Sequence, residues 1–177
     1  MANIWYLSDP HLFHKNIIKF TDDNGKIIRE FRTLQEHNEK ILSCHNEVVK
    51  PGDKVYWLGD ITFDYGPEFE AFFPRFHGKK RLIIGNHDII KGTNLLKHFQ
   101  KAQIWRIFKE HNFLITHIPA HPDYLRKVKF NVHGHLHQRV VMNGNVPDWR
   151  YISVCLEHTK YYPVHLDEIL ARIKKAA

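Results

Sequence analysis

Apolar residues along this chain fall into two rhythms. Short runs such as NIWYL at 3–7, KVYWL at 54–58, RLII at 81–84, NFLI at 112–115 and FNV at 130–132 have the length and composition of buried β-strands. Between the first three lie stretches with helical spacing. Thr33-Leu-Gln-Glu36 has the form that caps a helix N-terminus. The stripe after it is Leu34, Ile41, Leu42, Val48 and Val49, with Asn38 and His45 on the same side. Pro67 opens a second helix with Phe69, Phe72, Phe73 and Phe76 on one side. Asp22-Asp-Asn-Gly25 predicts a turn between 17–20 and 26–28. A short helix is expected around 94–99. From residue 103 the pattern changes to strands joined by turns, at 103–108, 112–116, 129–132 and 151–155. A last helix over 166–175 carries Leu166, Ile169, Leu170 and Ile173. The order βαβαβα, then mostly β, then α predicts an α/β half and a β-rich half packed as layers.

Length and composition narrow the class. A chain of 177 residues suits one domain spanning 1–177, and 43% hydrophobic residues can fill its core. No run of 18 apolar residues exists, so no spanning helix and no membrane partner is expected. MANIWYLSDPH lacks the basic and long apolar parts of a signal peptide. Cys44 and Cys155 lie far apart and outside any metal spacing, which fits reduced thiols and a cytoplasmic location. The net charge of +7 favours an anionic substrate. Its cations form only short clusters, such as Lys79-Lys80-Arg81 and Arg172-Ile-Lys174-Lys175. Nucleic acid is therefore a less favoured partner than a small phosphate ester.

The chemistry lies where the strand-like runs end. Five patches follow them: Asp9-Pro-His11, Gly59-Asp60, Gly85-Asn86-His87-Asp88, Thr116-His117 and Gly134-His135-Leu-His137. Carboxylate and amide oxygens suit hard divalent cations, and imidazole suits transition metals. Ends of neighbouring strands can hold such groups around one point. In order and spacing, these patches resemble the calcineurin-like metallophosphoesterase superfamily. DPHLFHKNIIKF, YWLGDITFD and VCLEHTKYYPV narrow the likeness to its small single-domain bacterial and phage phosphoesterases.

That resemblance implies an α/β fold, a four-layer α-β-β-α sandwich with a binuclear metal site at the strand ends. It implies Asp9, His11, Asp60 and His137 around one ion, and Asp60, Asn86, His117 and His135 around the other. Manganese is the expected metal, with iron, zinc or nickel as alternatives. The implied reaction is hydrolysis of a phosphodiester by a metal-bridged hydroxide, His87 assisting the leaving group without binding metal. A diester is favoured over a monoester because no cap domain is evident. A phosphomonoesterase, a nuclease and a non-catalytic metal-binding scaffold are the alternatives.

One position departs from the family pattern. Many members carry a second Asp three residues after the bridging one, where it orients the catalytic His. Here residue 63 is Phe and the acid is Asp64. Asp64 either turns toward His87 as a catalytic residue or caps the following helix, and Asp88 is the other acid able to meet His87. His14 and Asn16 are candidate substrate-binding residues, with a hydrogen-bonded loop as the alternative. Asn38 and His45 need polar partners inside the core. Glu157 belongs to a stretch resembling the family, with no role assigned.

Overall fold

The computed structural model describes residues 2–89 and 94–176. Strands β1 (Ile4–Leu7), β2 (Lys54–Trp57), β3 (Lys79–Ile83) and β4 (Lys101–Gln103) run parallel, side by side. A second sheet contains β5 (Trp105–Phe108), β6 (Phe113–Thr116), β7 (Phe130–His133) and β10 (Tyr151–Ser153), in the order β10-β7-β6-β5. In it β6, β7 and β10 are parallel and β5 is antiparallel. Between β7 and β10, β8 (Met142–Asn143) and β9 (Val146–Pro147) form a small hairpin. After α3 (Leu156–Thr159), strand β11 (Val164–His165) pairs antiparallel with β1, which completes the first sheet as β11-β1-β2-β3-β4. The fold is thus mixed α/β, with parallel and antiparallel pairing in both sheets.

Alternation along each strand assigns its two faces. Leu7, Val55, Trp57 and Leu82 face α1 (Leu34–Val48) and α2 (Pro67–Phe72), whose Ile41, Leu42, Phe69 and Phe72 share that core. Tyr6, Tyr56, Leu58 and Ile83 face the other way, toward Phe108, Phe113, Ile115, Phe130 and Val132 of the second sheet. Ile169 of α4 (Leu166–Ala176) closes this inter-sheet core. On the outer face of the second sheet, Leu114 packs against Leu125 and Val128. Those two residues belong to, and directly follow, a 3-10 segment at Pro122–Lys127.

The expected helix start is present. Thr33 accepts from the Glu36 backbone N–H at 3.0 Å, and Glu36 accepts from the Arg32 N–H at 3.0 Å. The second helix is shorter than its phenylalanine stripe and tightens into a 3-10 turn at Phe73–Arg75. The expected helix around 94–99 is a 3-10 turn, Leu95–His98. Instead of a regular hairpin, 17–28 forms a 3-10 turn at Ile17–Lys19 and a single bridge between Thr21 and Ile27. The single strand expected at 103–108 is two strands in different sheets, β4 and β5, with the chain crossing at Ile104. Partner choice made that break, and an apolar run carries no record of it. No helix among the described residues is long and apolar enough to cross a membrane.

Trp57 is fully buried between α1 and α2, with the His45, Phe73 and Phe76 rings 5.0–5.3 Å away. Trp57→Ala should cost about 3–5 kcal/mol, the usual range for removing a buried large aromatic. Equilibrium urea unfolding measures it.

Candidate metal centre

Parallel pairing brings the carboxyl ends of β1, β2 and β3 to one edge, and those of β6, β7 and β10 to an edge beside it. Open α/β sheets place their ligands beyond such ends. All five polar patches start there. Backbone bonds join the loops: the Asp9 N–H donates to Gly59 O at 3.1 Å and the His11 N–H to Asp60 O at 3.0 Å. Other bonds cross between the sheets. The Ser8 N–H donates to Val154 O at 3.1 Å, and the His135 N–H donates to Asp9 Oδ2 at 2.8 Å. At Gly59, φ is +84° and a Cβ would lie 2.6 Å from Gly85 Cα, so only glycine lets the two loops meet.

Six of the seven expected ligands form two groups, Asp9–His11–His137 and Asp60–His117–His135, each with its donor atoms within 4.8 Å of one another. Asp60 links the groups. Its Oδ2 is 3.7 Å from His11 Nε2, and its Oδ1 is 3.4 Å from His117 Nε2. Asn86, the seventh, places Oδ1 2.8 Å from His117 Nε2. His117 Nδ1 donates to Leu58 O at 2.6 Å, which fixes the tautomer and turns Nε2 to the centre. Burial would lower this imidazole, yet Asp60 and Asp9 push it up to about 9. Burial would likewise raise Asp9, but His11, His117 and His137 hold it well below the usual carboxylate range.

The donor set fits divalent ions. Asp9 is fully buried, and its Oδ1 has no hydrogen-bond partner among the described residues. Both ring nitrogens of the buried His11 are also without one, and burial lowers its pKa, keeping the ring neutral. Unpartnered buried acceptors are costly unless something positive meets them. Backbone strain gathers on the same residues. Asp9, His11, Asp60, His135 and His137 all have left-handed φ, between 48° and 71°. Each such residue costs on the order of 1–3 kcal/mol and persists where the surroundings impose it.

Behind the ligands lies a buried charged chain that sequence reasoning missed. Arg29 is fully buried, and its Nη2 and Nε donate to Glu157 Oε1 at 2.8 and 2.9 Å. It also donates to Asp9 O at 2.6 Å and Pro10 O at 3.0 Å. Glu157 Oε1 accepts from His137 Nδ1 at 2.8 Å, which aims Nε2 at the centre. Burial would raise Glu157, but the Arg29 charge and the His137 bond hold it down at about 2. Burial and Arg29 push His37 down to about 3, so it is neutral. Its Nδ1 donates to Asn38 Oδ1 at 3.0 Å, and its Nε2 accepts from Arg29 at 3.0 Å. Asn38 therefore supports the centre through His37, whereas His45 is a core residue donating to His77 O at 3.0 Å. Arg29 stands in the run KIIREFR, where nothing local marks one cation for burial; the family resemblance covers the Glu157 stretch but assigns it no role.

His87 is exposed at the edge of the centre, its N–H donating to Asp60 Oδ1 at 3.0 Å. Its ring meets Phe63 at 4.8 Å and His11 at 6.2 Å between centroids. Asp64 is not hydrogen-bonded to it. That carboxylate accepts from the Gly66 N–H at 2.8 Å, in the loop that starts α2. Asp88 is turned away too, accepting from the Gly85, Ile61 and Asp60 N–H groups at 2.8–3.1 Å. Asp88 thus staples two ligand loops together. His14 lies beside the site, stacked on Phe63 at 4.1 Å. Asn16 is exposed at the start of the Ile17–Lys19 turn.

No family model matches the chain. An uncharacterized protein of Methanocaldococcus jannaschii is 29% identical over 99% of this chain and 93% of its own. The gene 66 protein of Mycobacterium phage L5 is 25% identical, covering 82% of this chain and 83% of its own. The crystal structure of a protein of unknown function from Aquifex aeolicus matches with a TM-score of 0.73 and 28% identity, over 96% of this chain and 98% of that one.

Proposed function

We propose that this chain is a binuclear metallophosphoesterase that hydrolyses a phosphodiester. The observation that carries the proposal is Asp60, whose two carboxylate oxygens lie toward two separate His/Asp groups. Asp9, His11, Asp60 and His137 would hold one ion, and Asp60, Asn86, His117 and His135 the other. When bound, the pair would supply a Lewis-acidic clamp for phosphoryl oxygens and a water of lowered pKa. Their mixed oxygen and nitrogen donors suit manganese and also admit iron, zinc or nickel.

His87 serves the leaving group in this reading. Its backbone is fixed on Asp60, and its exposed ring stands against Phe63 beside His11. As the P–O bond breaks, it would deliver a proton to the departing oxygen. Asp64 would act only on the loop that carries Phe63. Glu157 and Arg29 orient His137. A diester is favoured because Asn86 and His87 are exposed, leaving room for a group on each side of the phosphorus. A single domain, a cytoplasmic location and the four-layer α-β-β-α description go with this reading. Helices α1 and α2 outside the first sheet and Pro122–Lys127 outside the second support the layers.

Three outcomes test the proposal. Reconstituted with Mn²⁺, the protein should bind two ions, one per group, seen by metal analysis and anomalous scattering. Asp60→Asn should lose one ion and nearly all activity while keeping its circular dichroism; wild-type turnover in this variant would remove Asp60 from the bridge. His87→Ala should keep both ions and lose turnover by roughly 10²–10⁴-fold. That loss should shrink for nitrophenyl esters, whose leaving group needs less protonation. Equal losses for good and poor leaving groups would assign His87 to charge stabilisation instead.

A fourth outcome concerns the buried charges. Glu157→Gln should weaken metal affinity by roughly 10–100-fold, the usual effect of losing a ligand's outer partner, measured by calorimetric titration. Arg29→Met leaves the buried Glu157 without its cation, holding only the His137 bond, and should destabilise by about 3–5 kcal/mol, read from urea unfolding.

A further inference from the structure

The second sheet carries an apolar groove that begins at the metal centre. In β5 and β6 the paired residues Trp105–Thr116 and Ile107–Leu114 alternate with the inward Phe108–Phe113 pair. Ile107 and Leu114 belong to the outer cluster, away from the inter-sheet core. At the carboxyl end of β6 this outer surface meets His117. A groove of about 630 Å³ results, lined at one end by His117 and Asn86. Farther along, among the described residues, it is lined by Ile104, Trp105, Ile118 and Tyr124. Those four are 73%, 56%, 51% and 77% exposed. Large apolar side chains exposed in one concave patch mark a binding surface, whereas scattered ones do not.

The chemistry of the lining selects an occupant. Trp105 and Tyr124 offer flat π-faces, and the exposed Arg126 and Lys127 also border the groove. Among the described residues its carboxylate is Asp123, whose Oδ2 lies 3.7 Å from His121 Nδ1. Volumes of about 300–1,000 Å³ are typical of small-ligand pockets. The groove shares Asn86 and His117 with the metal centre, so a molecule whose phosphate lies at the centre would extend into it.

We infer that the Trp105–Tyr124 groove is the subsite for the organic part of the substrate, and that this part is a planar aromatic group joined to the phosphate, a nucleobase being its common biological form. This rests on the phosphoesterase reading of the centre. Aromatic side chains stack on any base, because each base has a π-face. The apolar floor at Ile107 and Leu114 would take the ring in place of water. Arg126 and Lys127 favour an anionic ligand at the edge.

The test compares AMP with ribose 5-phosphate on the full chain loaded with Mn²⁺, by calorimetric titration of wild type, Trp105→Ala and Tyr124→Ala. Both side chains are mostly exposed, so the variants should fold, which circular dichroism checks. Wild type should bind AMP more tightly than ribose 5-phosphate. Each substitution should weaken AMP by roughly 5- to 150-fold, the range for one lost base–aromatic stack, and leave ribose 5-phosphate unchanged. Turnover of 2′,3′-cyclic AMP and of a ringless glycerophosphodiester is followed in parallel. Equal affinity for the two phosphates, or AMP binding unaltered in both variants, overturns the groove assignment. So does a dimer that Trp105→Ala dissociates in sedimentation, since a second copy would then occupy the face. AMP discrimination without hydrolysis of any ester would overturn the phosphoesterase reading and leave the groove standing.

Discussion

The architecture turns on a buried negative charge. Asp9 is fully enclosed, and one of its oxygens has no hydrogen-bond donor among the described residues. An isolated carboxylate in such a place would be expensive. Here the backbone N–H of His135 and the thiol of Cys155 reach Oδ2, while His11 Nε2 stands 3.7 Å from Oδ1. Those contacts come from both sheets, so the carboxylate sits on the seam between them. The left-handed turns at Asp9, His11, Asp60, His135 and His137 are how the chain bends enough to aim its ligands inward.

A second buried charge backs the first. Arg29 reaches the backbone oxygens of Asp9 and Pro10 and the carboxylate of Glu157, so one guanidinium holds the loop after β1 and helix α3. A buried ion pair is weak evidence for added stability, because desolvation offsets most of its attraction. Its value here is geometric. It fixes His137 through Glu157, and on the other side it orders His37 and Asn38 of α1. The outermost helix layer is thereby tied to the centre by polar contacts as well as by packing.

Fold and site answer different questions. Two facing sheets with parallel strands supply an edge where ligand loops can gather, yet that frame is compatible with many chemistries. What narrows the chemistry is the donor set: a carboxylate between two groups, imidazoles aimed inward by bonds at Nδ1 of His117 and His137, and one amide. The accessible side of the centre is then defined by aromatic surface, with Phe63 against the His11, His14 and His87 rings and the Trp105–Tyr124 groove opening beyond His117.

The six Asp and His residues that gather in two groups, and Asn86 beside His117, were legible in the chain because each follows a strand-like run at its end, and parallel pairing must bring such ends together. The main strands and α1, with its Thr33 cap, were legible for a similar reason: alternation, helical spacing and capping act over a few residues. The break at Ile104 was not, because an apolar run does not state which sheet each half will join. Neither was Arg29, since burial of a long cation is decided by Glu157, 128 residues away. The acids beside His87 were sorted only in three dimensions: Asp64 bonds to Gly66 and Asp88 to three backbone N–H groups. Sequence determined which residues could serve the centre; tertiary structure decided which carboxylates meet ligands and which only hold loops, because hydrogen-bond partners across sheets are chosen by the packing of distant segments.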